Sequence, residues 1–104
     1  MKFSEDLLKE PINRGSLFVI KVDGESMQPT IQDRSLVVAD LSQKTVKDKG
    51  IYLVYYENKM WIKQAKQETD GMKFVSINKA FSHLVYNQTD VRVIAKAVLS
   101  FNTF

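Results

Sequence analysis

Two short stretches carry residues able to do covalent chemistry. In Gly24-Glu25-Ser26-Met27-Gln28-Pro29, a serine lies between a glycine that permits a sharp bend and a proline that fixes φ. A serine held that rigidly, with neighbouring backbone N–H groups pointing outward together, suits a nucleophile beside an oxyanion hole. The same residues also suit a capping serine in a turn. The second stretch is Met60-Trp61-Ile62-Lys63-Gln64-Ala65-Lys66-Gln67. On a strand, Lys63 shares a face with Trp61 and Ala65. Burial there would lower its pKa and make it a general base. The alternative is a solvated lysine whose stem covers the tryptophan.

The elements around these residues read as short strands. Ser4 to Glu10 reads as a short N-terminal helix, with Ser4 as cap, Glu5 and Asp6 at its positive end and Pro11 as its stop. After Gly15 the pattern changes. Leu17–Val22, Leu36–Asp40, Ile51–Tyr56, Met60–Gln67, Met72–Ile77 and Val91–Ser100 are rich in β-branched and aromatic residues. Glu57-Asn58-Lys59 reads as a hairpin turn, and Thr69-Asp70-Gly71 as a second turn. Residues 78–90 read as polar and irregular. Ile51, Leu53 and Tyr55 face one way and Tyr52, Val54 and Tyr56 the other, so that strand is covered on both sides. Six strands with tight turns predict a mainly β fold with strongly bent, barrel-like sheets.

Composition narrows the chemistry. The chain has 104 residues, 44% of them hydrophobic, which fits one globular domain over 1–104. No cysteine is present, so disulfides, thiolate nucleophiles, zinc ribbons and iron–sulfur clusters are excluded. The one histidine, His83, excludes a multi-histidine metal site, and neither a metal nor a cofactor is expected. The cysteine-free composition fits a reducing, cytoplasmic setting. The longest apolar run, Ile51 to Tyr56, falls far short of the ~20 residues that span a bilayer. The first residues lack the apolar core of a secretory leader. A net charge of +3 permits nucleic-acid contact without demanding it.

Taken together, the serine loop and the strand lysine resemble the catalytic domain of LexA-like repressors, a group that includes phage repressor C-terminal domains and the UmuD polymerase subunit. The resemblance runs from about Leu17 to Leu99 and is sharpest over Val22–Asp40. It implies a Ser-Lys dyad acting mainly on the protein's own chain. Ser26 would be the nucleophile and neutral Lys63 the general base. Gly24, Glu25, Met27 and Pro29 would shape the serine loop and its oxyanion donors. It also implies a homodimer, DNA contact through an N-terminal helix-turn-helix domain absent from this sequence, an SOS-type role and a RecA-like filament as activator of cleavage. Such domains cut an Ala–Gly or Cys–Gly bond upstream of the serine. No such bond precedes Ser26 here, so the chain reads as a C-terminal fragment of a longer regulator. Two positions depart from the family pattern. Asp33-Arg34-Ser35 stands where an Asp-Gly-Asp-like turn is common, and Asn78-Lys79 where Asn-Pro is common.

Other readings use the same residues. A Ser-His-Asp triad would take Ser26, His83 and Asp33 or Asp40. A polymerase accessory subunit of the UmuD kind would keep the dyad. A dimerisation module would keep it without using it. A single-stranded nucleic-acid-binding barrel would use Tyr52, Tyr55, Tyr56 and Trp61 interleaved with Lys59, Lys63 and Lys66. The dimer surface is expected to include Val91–Ser100 and the tail Phe101-Asn102-Thr103-Phe104, unless the two phenylalanines fold back onto their own core.

Overall fold

The computed structural model describes residues 14–101. The proposed helix over Ser4–Glu10 and the end of the tail, residues 102–104, lie outside the described residues. A 3-10 turn, Arg14–Ser16, leads into seven strands: β1 Leu17–Lys21, β2 Leu36–Asp40, β3 Ile51–Tyr56, β4 Lys59–Glu68, β5 Gly71–Val75, β6 Val85–Asn87 and β7 Arg92–Phe101. They form one antiparallel sheet in the order β1-β2-β7-β3-β4-β5-β6. The mainly β architecture agrees with the sequence reading, although the sheet is not closed into a barrel.

One strand differs from expectation. β6 is only three residues long and lies within the stretch read as irregular. It pairs with β5 through Lys73↔Asn87, Phe74↔Tyr86 and Val75↔Val85. Its Val-Tyr-Asn sequence is too short to carry an alternating pattern, so cross-strand pairing supplies what local propensity does not.

The sheet bends at its central strand. β7 pairs with β2 on one edge and β3 on the other, and both registers slip by one residue. Against β2 the partners jump from Leu99 to Ala97, leaving Val98 unopposed. Against β3 they jump from Ala95 to Val93, leaving Ile94 unopposed. Extra residues of this kind bend a strand and tighten its twist. The curl gathers Phe18 and Ile20 of β1 and Ile62 of β4 around one cluster of Ala39, Leu53 and Ala95, although three strands separate β1 from β4 in the sheet.

β3 is covered on both sides over its first four residues, as expected, whereas Tyr55 near its end is exposed. Leu53 packs with Ala39 and Ala95. Tyr52 and Val54, on the opposite parity, pack with Ala65 and Phe74. The hydroxyl of Tyr52 accepts from the N–H of Lys47 at 2.9 Å and donates to the carbonyl of Thr45 at 3.1 Å, fastening the β2–β3 connection. A Cβ at Gly50 would lie 2.7 Å from the Tyr52 ring, so this close approach requires glycine. The β3–β4 hairpin turns at Glu57 and Asn58, both at positive φ (50° and 64°), as a two-residue mirror-type turn requires.

Candidate active site

The serine loop, residues 22–35, is closed at its neck by two backbone bonds. Val22 N–H donates to Ser35 O and Arg34 N–H to Val22 O, each at 2.8 Å. Gly24 takes φ +117°, a conformation glycine alone adopts freely, and its N–H donates to Asp33 Oδ1 at 2.8 Å. Arg34 sits at φ 67°, in the left-handed region. That explains why glycine suits the position at which this sequence carries arginine. Beyond the bend, Gln28 N–H donates to Glu25 O at 3.1 Å and Ile31 N–H to Met27 O at 2.9 Å. Met27 and Ile31 are buried and anchor the loop against Val22 and Val37, with Ile77 packed beside them. The Gln28–Pro29 peptide is cis. Glu25 and Pro29 are exposed, and Ser26 is half-buried.

Lys63 lies in β4, opposite Tyr52 of β3. It is fully buried, so the solvated-lysine alternative does not hold. Its Nζ lies 5.5 Å from the centroid of the Trp61 ring and donates to Ser76 Oγ at 2.8 Å. Burial pushes its pKa below the ordinary lysine value, because an ammonium loses its hydration there.

The segment after β5 links the two stretches. Ser76 receives the lysine. Two residues on, Asn78 N–H donates to Ser26 O at 2.9 Å, and its Nδ2 donates to Glu25 O at 2.9 Å. The nucleophile candidate and the base candidate are thus tied to the same three residues. Among the described residues, the hydrogen bond of Lys63 Nζ goes to Ser76 rather than to Ser26.

Residues 1–98 match the family described as Peptidase S24-like. The chain belongs to that family. A 78-residue stretch is also 35% identical to a Haemophilus influenzae protein named as an uncharacterized HTH-type transcriptional regulator. The match covers 74% of this chain and 33% of that relative, so the chain spans about a third of the regulator's length.

Within this Peptidase S24-like chain, Ser76 and Asn78 touch the candidate residues, and sequence reasoning missed both. Ser76 had a signal: it falls on the parity of Met72 and Phe74 and is the one polar residue on that face. Asn78 opens the stretch that reads as polar and irregular, with no local signal of a contact to the serine loop. In fact it caps the 3-10 turn Lys79–Phe81, through Oδ1 accepting from Ala80 N–H at 3.0 Å, while clamping the serine loop. The triad partners are placed elsewhere. Asp33 accepts from Gly24, and Asp40 is buried among Ser16, Ser42 and Gln43. His83 is exposed, and among the described residues no hydrogen bond joins it to either carboxylate or to Ser26. The stacking-platform reading loses Tyr52 and Lys63, both of which are buried. Among the described residues, no helix is long and apolar enough to cross a membrane.

Proposed function

We propose that this chain is a single self-cleavage and dimerisation domain from the C-terminal part of a LexA-like, cytoplasmic transcriptional repressor. Neutral Lys63 takes the proton of Ser26 Oγ as that oxygen bonds to the carbonyl carbon of an upstream peptide bond of the same chain. The resulting ammonium gives the proton to the leaving amine, the C–N bond breaks, and an acyl-serine remains. Water, deprotonated by the same lysine, then releases the acyl group. The observation that carries this reading is the complete burial of Lys63, which disfavours the ammonium and so supports a lysine able to act as a base.

The loop geometry supports the same chemistry. The N–H groups of Gly24 and Gln28 are engaged by Asp33 and Glu25. Those of Ser26 and Met27, between them, are the candidate oxyanion donors, so Gly24 contributes the bend rather than a donor. A groove of about 330 Å³ lies beside the start of the serine loop, on the Ile62 face of β4, which is opposite to the face that carries Lys63. Its walls include Val22 and Asp23 at the start of the serine loop, Met60 and Ile62 of β4, and Phe18, Ile20 and Leu53. In this reading the substrate is an upstream segment of the chain itself. Holding that segment on the same chain replaces a bimolecular encounter by a high effective concentration.

The name of the Haemophilus relative, an HTH-type transcriptional regulator, favours a repressor over a polymerase subunit, with DNA contact through a helix-turn-helix region upstream of this domain. The activator in this reading is a RecA-like filament. The test is a chain extended upstream through its natural linker. Self-cleavage should accelerate with rising pH, and Ser26→Ala and Lys63→Ala should each reduce it by roughly 10³-fold or more with the fold intact. Cleavage at the same bond in purified Ser26→Ala protein would overturn the assignment.

A further inference from the structure

We propose that Ser76 and Asn78 form one positioning strap that holds the base with its first residue and the nucleophile loop with its third. The inference rests on the Ser26–Lys63 reading and assigns to it two residues that do not themselves react.

The strap begins where β5 ends at Val75. Ser76 is buried, and its oxygen is the one hydrogen-bond partner of Lys63 Nζ among the described residues. A lysine side chain has four rotatable bonds, so a single fixed acceptor removes much of the freedom it would otherwise keep in an apolar pocket. Ile77 packs into the cluster that anchors Met27 and Ile31. Asn78 then closes two hydrogen bonds onto consecutive carbonyls of the serine loop, those of Glu25 and Ser26. The carbonyl oxygens are thereby turned toward the strap. Displacing the strap by an ångström would move both reacting groups, and errors of that size cost rate steeply.

The two ends of the strap do different work, which separates them experimentally. Ser76 accepts from Lys63 and so favours the ammonium form. Of the titratable groups on the surrounding elements, Tyr52 lies opposite Lys63 on β3 and is engaged with Lys47 and Thr45, Tyr55 and Tyr56 lie at the far end of β3, Lys73 on β5 pairs with Lys66, and Asp23, Glu25, Asp33 and Arg34 are exposed on the serine loop. The lowered pKa of Lys63 has burial as its cause and no carboxylate. Removing the Ser76 hydroxyl should therefore move the lysine titration further down, whereas removing the Asn78 amide should leave it in place.

The experiment follows Lys63 by NMR of the lysine side-chain carbons in this chain, with self-cleavage measured in the upstream-extended chain. In Ser76→Ala, the titration should fall to lower pH and the alkaline cleavage plateau should drop by roughly tenfold to a hundredfold. Ser76→Thr, which keeps a hydroxyl, should restore both. In Asn78→Ala, the titration should stay put, the amides of Gln28 and Ile31 should exchange faster, and the plateau should fall by a similar factor. Asn78→Asp, which keeps the Ala80 contact but cannot donate to Glu25, substitutes if the alanine variant does not fold. An unmoved or raised titration in Ser76→Ala, or wild-type exchange in Asn78→Ala, overturns the strap. The NMR and exchange readouts need no cleavage. If they behave as expected while Lys63→Ala still self-cleaves, the dyad reading fails and the strap stands. Cleavage that survives Ser26→Ala and is lost in Ser76→Ala would make Ser76 the nucleophile and overturn both.

Discussion

An amine without water is a poor ammonium, and Lys63 is kept without water by the residues that fold the domain. Trp61 on its own strand face attracts a positive charge, while the surrounding apolar wall repels one, and the wall prevails. The folded pKa lies below the ordinary value of 10.5, so between the two the unfolded chain binds more protons. The contribution of this site to stability therefore rises with pH until 10.5 is reached. Lys63→Met has no proton to lose. Urea unfolding should show the stability of wild type relative to Lys63→Met increasing as pH rises toward 10.5, and a flat difference would mean that Lys63 ionises normally. Ser26 and Lys63 stand out in the sequence through the resemblance to LexA-like domains, since glycine, proline and an apolar strand face alone leave a capping serine and a solvated lysine open. The burial of Lys63 fits its place beside Trp61 and Ala65 on one strand face. Ser76 and Asn78 were harder to read, because their importance lies in partners 13 and 53 positions away. No local pattern encodes such contacts.

The strands were read from their apolar runs with boundaries good to a residue or two, since β2 and β3 are covered on both sides and carry few polar residues. β6 escaped because its three residues pair with a neighbour rather than follow a pattern. The two register slips of β7 were likewise invisible, since a bulge is a relation between strands. The end of β2 shows how a polar residue can fix an element. Burial alone would push the Asp40 carboxyl up. Hydrogen bonds from Ser16 Oγ, from Gln43 Nε2 and from the Oγ and N–H of Ser42 overcome that and hold it at about 2. They tie the start of β1 to the turn after β2. Because the folded pKa lies below the unfolded value of 3.8, this stabilisation is complete above that value and is lost as pH falls from 3.8 through about 2. The shift corresponds to about 2 kcal/mol at neutral pH. Asp40→Asn should lower the unfolding free energy by about that much at pH 7 and by progressively less in acid. An equal loss at both ends of the range would point to lost packing instead.

At the scale of the whole molecule, the curl of the sheet determines which surfaces remain for a second copy. The final strand was expected to contribute to a dimer. β7 is the third of seven strands in the sheet, with β2 on one edge and β3 on the other, so it has no free edge to pair with. Phe101 pairs with Leu36 and is half-buried, which ties that end of the strand to its own core. What β7 can offer is a face. A shallow depression of about 330 Å³ lies over Ala97, Val98, Leu99 and Ser100, bordered by Thr30 and Ile31 of the serine loop and by Ile51. Pairing through that face would place each copy against the far side of its partner's serine loop. It would also give an upstream DNA reader the two-fold spacing that increases its affinity. Cutting the linker would then separate reader from dimeriser and weaken operator binding without touching a DNA contact. Sedimentation of the domain across micromolar concentrations should show a reversible dimer. Ser100→Arg, at an exposed position on the rim of the depression, should weaken it by roughly tenfold while leaving thermal unfolding unchanged. A domain that stays monomeric at the highest concentration would remove the dimeriser role. A dimer indifferent to Ser100→Arg would move it to another surface, with the outer edge of β1, unpaired among the described residues, the next to test.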